Sequence, residues 1–317
     1  MKYRKIMIFP LFLLSLCFGS EVFATEYKVA VRAHHGIADA EAHWQATLDF
    51  LSQNHPGDKF TLVPIVSLNA LSSRTGKNEF HFVLTNPSSY VEIKQRYGAY
   101  ALATLNNKRA NTAQSRFGSV IFTHARNTHI VSLHDLKNKT LMAVSKPAFG
   151  GWQVAWLEML KQGFNPEREL KALRFAKTKT QPEVVQAVLH GEVDAGVVRT
   201  DLLERLEAKN KIDMRYLRIL NNKDIKTFPF FLSTDLYPEW AFAATQKTPE
   251  RLANSVRKHL LSIKKDNIAA ISGQYIGWKT PDSYQSVKQL MTTLRVGPYA
   301  ANKRNSTQNT KNLEKQY

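Results

Sequence analysis

The sequence predicts an α/β protein in which strands alternate with helices. Short apolar runs typical of buried strands recur along most of the chain, and segments with helical spacing of apolar residues separate them. Polar side chains follow three of these strands where a helix begins, at Asn86, Ser145 and Arg199. Such alternation is typical of sheets covered by helices, whose ligands bind beyond the carboxyl ends of the strands.

The first predicted elements form a β-α-β unit, with a strand at 27–32, a helix at 39–53 and a strand at 60–66. Further strands are predicted at 80–84, 101–105, 119–123, 140–144, 173–176, 195–198 and 216–220. Further helices are predicted at 67–77, from 87, and at 132–139, 152–162, 181–190, 249–263, 266–272 and 284–294. We expect the polar residues 300–317 to be disordered.

The amino terminus has the pattern of a secretory signal peptide. Three basic residues precede an apolar run at 6–18, and a small-residue pattern ends at Ala24. We therefore expect residues 1–24 to be removed and the mature protein to lie in the periplasm. The single cysteine, Cys17, lies in this segment, and the large Leu16 before it argues against a lipidation site. A mature chain without cysteine has no disulfide, thiolate metal site or cysteine nucleophile.

The formal net charge of +18 at pH 7 favours anionic partners. Nucleic acid is disfavoured, because the protein is expected to be secreted and its basic residues are dispersed along the chain. Three interpretations of the charge stay open: a solvated basic surface without a specific partner, a small anionic ligand, and an anionic membrane surface.

Five segments of the chain carry a family resemblance: FVLTNPSSYVEI, SLHDLKNKTLMAVSKPAFGGWQVAWLEML, VVQAVLHGEVDAGVVRTDLLERL, STDLYPEWAFAA and YIGWKTPDSYQSVKQLMTTLRVGPY. Together they resemble the periplasmic phosphonate-binding-protein-like family. Within that family they are particularly similar to the sensory domains that precede some bacterial histidine kinases, including tetrathionate sensors. The resemblance extends from Tyr27 to Tyr299.

The resemblance implies a type II periplasmic binding fold, in which two α/β lobes are joined by two crossovers and close on a ligand in the cleft. Lobe 1 is expected to comprise 25–120 plus 225–299, and lobe 2 to comprise 121–224. We expect a monomer that binds a phosphonate, phosphate or sulfur oxyanion for the membrane permease of an ABC transporter, without metal or cofactor. The alternative is a receptor for a separate sensor histidine kinase, because kinase-linked relatives continue beyond the GPY segment, near which this chain stops.

The three polar strand-to-helix junctions supply the predicted ligand site. We expect Asn86, Pro87 and Ser88 on one wall of the cleft. The other wall is expected to contain Ser145, Phe149, Gly150, Gly151, Trp152, Arg199 and Thr200. Glycine permits close approach of the backbone, the start of a helix favours negative charge, and a guanidinium can bind an oxyanion by two parallel hydrogen bonds. Alternatively the glycines form a tight turn, Trp152 is a core residue, and Arg199 pairs with Asp201 or Glu204.

Residues after the first strand are further candidates. Arg32, His34 and His35 follow that strand and form either a polar loop or part of the pocket, and two histidines without a third ligand make a poor metal site. Three aromatic residues form either a further wall or part of the core: Phe230, Tyr237 and Trp240. The family often has a serine-rich helix turn where this chain reads SKPAFGGWQ, which argues against a simple phosphonate. Phe149 and Trp152 favour an anion larger or softer than phosphate.

A secreted hydrolase is the alternative of another class. Ser145, His134 and Asp135 are the residue types of a hydrolytic triad, and Glu158 is a candidate base. No serine has the G-x-S-x-G pattern of a nucleophile elbow, and His134 beside Asp135 is typical of a capped helix start. The sequence therefore favours a binding protein over an enzyme.

Overall fold

The structure, a computed structural model, describes residues 25–110 and 112–300. Its strands are β1 (Thr25–Arg32), β2 (Asp58–Ile65), β3 (Phe82–Thr85), β4 (Tyr100–Arg109), β5 (Thr112–Gln114), β6 (Arg116–Phe117), β7 (Ser119–His124), β8 (Thr140–Ala143), β9 (Ala172–Phe175), β10 (Ala195–Arg199), β11 (Leu217–Leu220), β12 (Tyr237–Pro238), β13 (Ala241–Ala244) and β14 (Tyr275–Lys279). Its α-helices are α1 (Ile37–Gln53), α2 (Leu68–Gly76), α3 (Pro87–Tyr97), α4 (Val154–Lys161), α5 (Pro166–Glu169), α6 (Gln181–Leu189), α7 (Leu202–Glu207), α8 (Glu250–Ser262), α9 (Ile268–Ser272) and α10 (Gln285–Thr293). A π-helical turn, Phe149–Gln153, leads directly into α4.

The first sheet joins the amino-terminal strands to two strands from the end of the chain. Its order is β14-β4-β13-β3-β1-β2, and β5 pairs with β4. β1 is parallel to both of its neighbours, so that Val29 lies opposite Leu62 on one side and Phe82 on the other. β13 and β14 pair antiparallel with the strands beside them. A core cluster that includes Trp44 of α1, Phe242 of β13 and residues of α8 and α9 packs on this sheet.

The second sheet contains the middle of the chain, in the order β11-β7-β10-β8-β9. β8 is parallel to β9 and β10, whereas β7 is antiparallel to β10 and β11. Successive residues of β7 belong to different core clusters, because side chains along a strand point alternately to the two faces of the sheet. Ile121 joins the cluster that contains Trp152, and Phe122 joins the cluster that contains Val184 of α6.

Two segments of the chain cross from one sheet to the other, and these two segments lie side by side. β6 and β12 form a two-stranded antiparallel pair in which Phe117 lies opposite Tyr237. The predicted two-lobed α/β fold is thus confirmed. The predicted lobe boundaries stay a prediction, and the contacts of Ser233 bear on the second of them. Its backbone N–H donates to the Ser119 carbonyl over 2.9 Å and its hydroxyl donates to the Leu220 carbonyl over 2.7 Å, so this segment is attached to the second sheet.

Several elements differ from the sequence-based expectation: β5, β6, β12, β13, β14 and α5 were not predicted, and one predicted helix is shorter than expected. The predicted helix at 132–139 is reduced to a 3-10 turn, His134–Leu136. β14 was not predicted, because its register shifts between Tyr275 and Gly277 and this bulge interrupts the period of two. The predicted signal peptide and almost all of the predicted disordered tail lie outside the described residues. No helix in the described part of the chain is long and apolar enough to span a membrane.

Candidate functional site

A cavity of about 530 Å³ opens between the two sheets. One wall, called the first wall here, consists of Arg32, His34, His35, Val66, Ser67, Leu68, Asn69, Asn86 and Trp240. The opposite side, the second wall, consists of Phe117, Val144, Ser145, Pro147, Ala148, Phe149, Gly150, Gly151, Thr178, Lys179, Thr180, Gln181 and Arg199. These residues include arginine, lysine and histidine but neither aspartate nor glutamate.

The carboxyl ends of four strands supply the polar part of the cavity. Arg32 ends β1, Asn86 follows β3, Ser145 lies just beyond β8, and Arg199 ends β10. Within each sheet the two strands are parallel neighbours, so their carboxyl ends lie at the same edge. This is the position at which open α/β sheets bind their ligands.

Four helical segments also begin at the cavity. Ser67 is the N-cap of α2, and its hydroxyl accepts from the Ala70 N–H over 3.3 Å. Asn86 is the N-cap of α3, and its side-chain oxygen Oδ1 accepts from the Ser89 N–H over 2.9 Å. The π-helical turn that leads into α4 and the first residue of α6 line the second wall. Because the first N–H groups of a helix lack acceptors within it, these segments add positive potential.

Arg32 is a cation held by carbonyl groups. Its Nη1 donates to the carbonyl oxygens of Ala33 over 3.2 Å, of Ile65 over 3.4 Å and of Val66. Among the described residues no carboxylate lies within ion-pair distance of it. Carbonyl dipoles orient the guanidinium without neutralising its charge, so Arg32 presents a full positive charge to the cavity.

Arg199 is held by a carboxylate and an aromatic ring. Its Nη2 donates to Oε1 of Glu239, a residue with no exposed surface, and its Nη1 lies 3.5 Å from Oε2. The guanidinium carbon lies 4.0 Å from the centre of the Phe117 ring, within cation–π range. The Arg199 side chain is 15% exposed. The nearest other carboxylate belongs to Asp201, whose Oδ1 lies 3.9 Å from Nε.

Two more arginines lie behind the second wall. Arg109 Nε lies 3.4 Å and Arg205 Nε 2.9 Å from Oδ2 of Asp201. Asp201 is 2% exposed and has a left-handed backbone, with φ of 73°. Since Arg109 ends β4 of the first sheet and Asp201 follows β10 of the second, this pair connects the two sheets.

His34 is a neutral polar group of the first wall. Its ring centre lies 4.0 Å from that of His35 and 5.2 Å from that of Trp240. Partial removal of the ring from water inside the cleft lowers the pKa of His34 to about 3, and the positive charges of His35, Arg32 and Arg199 act in the same direction. The ring is therefore uncharged near neutral pH and offers both a donor and an acceptor.

The glycine turn combines a cleft surface with tight packing. A Cβ on Gly150 would lie 2.7 Å from Cε2 of Phe117, and a Cβ on Gly151 would lie 2.5 Å from Cγ2 of Val144. Trp152, which follows, is 1% exposed, and its ring lies 5.7 Å from that of Trp156. The glycines line the cavity, whereas Trp152 is a core residue.

Eight of the eleven predicted site residues line this cavity: Arg32, His34, Asn86, Ser145, Phe149, Gly150, Gly151 and Arg199. The structure places the other three behind it. The Ser88 hydroxyl donates to the side-chain oxygen Oδ1 of Asn86 over 3.1 Å, and the Thr200 hydroxyl accepts from the Gly118 N–H over 3.2 Å. Trp152 is buried as described above. That the eight residues contact a ligand stays a prediction.

The other candidates divide in the same way. His35 and Trp240 line the cavity, whereas Pro87, Phe230 and Tyr237 are buried outside its lining. Sequence reasoning missed two polar stretches that do line it, 67–69 and 178–181. The signal for both was the one used elsewhere, since each stretch lies where a predicted helix follows a predicted strand.

The residue types of a hydrolase are not brought together at the cavity. His134, Asp135 and Glu158 are absent from its lining. The Asp135 carboxylate accepts hydrogen bonds from the N–H groups of Val131 and Ser132 over 3.0 and 2.8 Å, which stabilises its own loop. Within the described ranges no three histidine, cysteine, aspartate or glutamate side chains lie close enough together to hold a metal ion.

Comparisons with known proteins agree with the fold. A family model described as "ABC transporter, phosphonate, periplasmic substrate-binding protein" matches residues 35–291. The tetrathionate sensor histidine kinase TtrS of Salmonella typhimurium is 30% identical over 285 residues, which are 89% of this chain and 46% of that protein. The chain thus spans about half the length of this curated relative.

Solved structures of similar fold include three binding proteins of low sequence identity. A Xanthomonas citri protein bound to ATP is 17% identical with a TM-score of 0.69, covering 86% of this chain and 98% of its own. PhnD1 from Prochlorococcus marinus in complex with methylphosphonate is 13% identical with a TM-score of 0.64 and the same coverage of both chains. A binding protein component of an ABC phosphonate transporter from Pseudomonas aeruginosa is 14% identical with a TM-score of 0.63, covering 92% and 95%. With residues 35–291 matched, the chain belongs to the periplasmic substrate-binding proteins of the phosphonate ABC transporter family.

Proposed function

We propose that this periplasmic solute-binding protein captures a small oxyanion that carries no cationic group. The observation that carries the proposal is the lining of the cavity, which includes Arg32, Lys179 and Arg199 but no carboxylate side chain. Four helical segments begin there as well. Positive side chains and helix starts together favour an anion.

The proposed contacts follow from the donors on each wall. Arg32 supplies an uncompensated guanidinium, which can bind two oxygens of one anion in parallel. Asn86 supplies an amide on the same wall, and Ser145 supplies a hydroxyl opposite. Backbone N–H groups near Gly150 complete the second wall beside Arg199. Closure of the two walls on the anion removes water and strengthens each of these contacts.

The absence of a carboxylate from the lining also predicts selectivity. A ligand ammonium group would face positive side chains without an acidic partner, and a like-charge contact costs several kcal/mol. Aminoalkylphosphonates are therefore disfavoured. Methylphosphonate, phosphate and fully ionised sulfur oxyanions carry no such group. Methylphosphonate, ATP and tetrathionate, which are named for three of the similar proteins, are oxyanions and support this class.

Calorimetric titration and thermal-shift measurements of the protein test the proposal. The panel consists of methylphosphonate, phosphate, sulfate, thiosulfate and tetrathionate, with 2-aminoethylphosphonate as the comparator. At least one of the five anions should bind and raise the melting temperature, since a ligand that binds only the folded state stabilises it. 2-Aminoethylphosphonate should bind at least about tenfold more weakly than methylphosphonate. Tighter binding of the amine, or no binding by any of the five, contradicts the proposal.

The downstream partner is proposed to be the permease of an ABC transporter, in keeping with the family. The chain is 30% identical to a sensor histidine kinase over 89% of its length. This similarity favours a second candidate, a receptor that reports the presence of the anion to a kinase. Deletion of the gene distinguishes the two. Loss of anion uptake supports transport, whereas loss of anion-induced transcription with normal uptake supports sensing.

Export and assembly complete the proposal. We assign residues 1–24 as a signal peptide, so the protein purified from the periplasm should begin at Thr25 in amino-terminal sequencing. We also assign a monomer without metal or cofactor and without catalytic activity. Size-exclusion chromatography with light scattering tests the monomer, and ester hydrolysis that is lost in S145A would contradict the last assignment.

A further inference from the structure

Glu239 is an acidic residue that adjoins the cavity without lining it. It has no exposed surface, and it immediately precedes Trp240, which belongs to the first wall. A buried carboxylate is costly unless its charge is paired and its oxygens are hydrogen-bonded. Glu239 meets both conditions, and its partners show what it holds in place.

Each carboxylate oxygen of Glu239 has two partners. Oε1 accepts from Nη2 of Arg199 and from Nδ2 of Asn107, the latter over 2.5 Å. Oε2 accepts from the Trp240 N–H over 3.2 Å and lies 3.5 Å from Nη1 of Arg199. The backbone of Glu239 is fixed as well, because its carbonyl accepts from the Tyr284 hydroxyl over 2.8 Å.

The two members of the ion pair come from different sheets. Arg199 ends β10 of the second sheet, whereas Glu239 lies just before β13 of the first sheet and binds Asn107 of β4. The orientation of the second-wall arginine is therefore determined from the first sheet. On its other side the guanidinium carbon lies 4.0 Å from the centre of the Phe117 ring, which limits its rotation.

We propose that Glu239 is the positioning residue for Arg199. The inference rests on the proposed function, because it assigns Arg199 to the bound anion. Without Glu239, the nearest carboxylate is that of Asp201, 3.9 Å from Nε. The guanidinium would then turn toward Asp201 and away from the cleft. Glu239 prevents this turn and leaves part of the guanidinium fork free for the ligand.

A double-mutant cycle on ligand affinity tests the assignment. The proteins are the unaltered chain, E239Q, R199M and R199M/E239Q, and the probe is the tightest binder among the five anions named above. E239Q should weaken binding roughly tenfold when Arg199 is present and less than about twofold when Met replaces it. If R199M does not fold, R199K takes its place in the cycle, because lysine keeps the charge but lacks the guanidinium fork.

A matched control separates positioning from stability. Glu158 is also buried, at 3% exposed, and forms an ion pair with Lys223 over 3.0 Å, but it does not line the cavity. E158Q should lower the melting temperature by an amount similar to E239Q and leave the affinity unchanged. If E158Q loses as much affinity as E239Q, the effect of E239Q on binding is one of general destabilisation, and the inference is overturned.

The remaining outcomes are also decisive. If E239Q strengthens binding, or weakens it equally with and without Arg199, Glu239 acts on the anion by its charge alone and the inference is wrong. If none of the five anions binds the unaltered protein, the proposed function is wrong and the inference fails with it. If the unaltered protein binds one of the anions and E239Q weakens that binding strongly only when Arg199 is present, the result supports both the proposed function and the inference.

Discussion

The two walls of the cleft hold their arginines in opposite ways. On the first wall, Arg32 is oriented by three backbone carbonyls and has no carboxylate partner among the described residues. On the second wall, Arg199 is paired with the fully buried Glu239 and packed against Phe117. Carbonyl groups leave the positive charge of a guanidinium uncompensated. A carboxylate partner offsets that charge, so a group farther away experiences little net charge.

This difference assigns the two residues different tasks. An uncompensated cation attracts an anion strongly and contributes little to folding, because its partner arrives only with the ligand. A compensated buried cation stabilises the fold through its partner and offers the ligand directed hydrogen bonds more than net charge. Substitution of Arg32 should therefore weaken affinity with little loss of stability, whereas substitution of Arg199 should lower stability as well as affinity.

The largest expected effect is on stability, in R199M. Removal of one member of a buried ion pair leaves an uncompensated charge and costs about 3–5 kcal/mol of unfolding free energy. R32M should cost less than about 1 kcal/mol, the usual range for a residue without such a partner. Urea denaturation of both variants measures the difference.

The double variant R199M/E239Q provides the control for this comparison. With both charges removed no buried ion is left alone, so its unfolding free energy should lie above that of R199M. If R32M and R199M destabilise the protein equally, or if the double variant is less stable than R199M, the Arg199–Glu239 ion pair does not make the second-wall arginine more important for stability than Arg32.

The second effect is on affinity, in R32M. Hydrogen bonds to charged groups contribute about 1.5–3 kcal/mol, so the loss of Arg32 should weaken anion binding by roughly 10- to 100-fold. Calorimetric titration with the tightest-binding anion measures the change. R251M is the control, since Arg251 is exposed on α8 and lies outside the cavity lining. Equal losses in R32M and R251M would indicate a general effect of net charge.

A third effect tests the packing that supports Arg199. In G150A the new Cβ would meet Cε2 of Phe117 at 2.7 Å and displace the ring on which Arg199 rests. Overpacking of this kind costs about 1–3 kcal/mol, and part of that cost should appear as affinity weakened by about fivefold. G163A is the control, because its Cβ meets no atom within 4 Å and only its positive φ, +78°, adds strain. Affinity unchanged in G150A would show that the Phe117 ring does not orient Arg199.

The sequence predicted the elements of the cleft better than the contacts within it. Strand-to-helix junctions are local patterns, and they correctly brought Arg32, Asn86, Ser145 and Arg199 to one cavity. The sequence indicates Asp201 or Glu204 as the partner of Arg199; the structure places Asp201 at 3.9 Å but pairs the guanidinium more closely with Glu239, 40 residues away. A contact of that range depends on how the two sheets meet, which no local pattern encodes.

The buried tryptophan shows a second limit of local patterns. Trp152 adjoins two glycines that line the cavity, but the turn directs its side chain into the core beside Trp156. The residue type is equally suitable for a ligand wall and for a core, so the sequence left both interpretations open. The π-helical geometry of Phe149–Gln153, which determines the direction, was not predicted.

The smallest effect concerns the protonation of His34. Its pKa in the folded protein, about 3, is below the 6.5 of an unfolded chain. The unfolded state therefore binds more protons below pH 6.5, and the unfolding free energy falls as the pH decreases from 6.5 toward 3, with no contribution above 6.5. The effect is small because the ring is exposed to the cleft. H34Q should reduce the difference in stability between pH 7.5 and pH 5, measured by urea denaturation.

His34 also reports the charge of the two arginines. Both lower its pKa, Arg32 more than Arg199. R32M removes an unbalanced positive charge, so the pKa of His34 in an NMR titration should rise. R199M/E239Q removes one positive and one negative charge together and should raise that pKa less than R32M does. If the double variant raised the pKa as much as R32M does, Glu239 would not offset the charge of Arg199 at the cleft, and the contrast between the two walls would be lost.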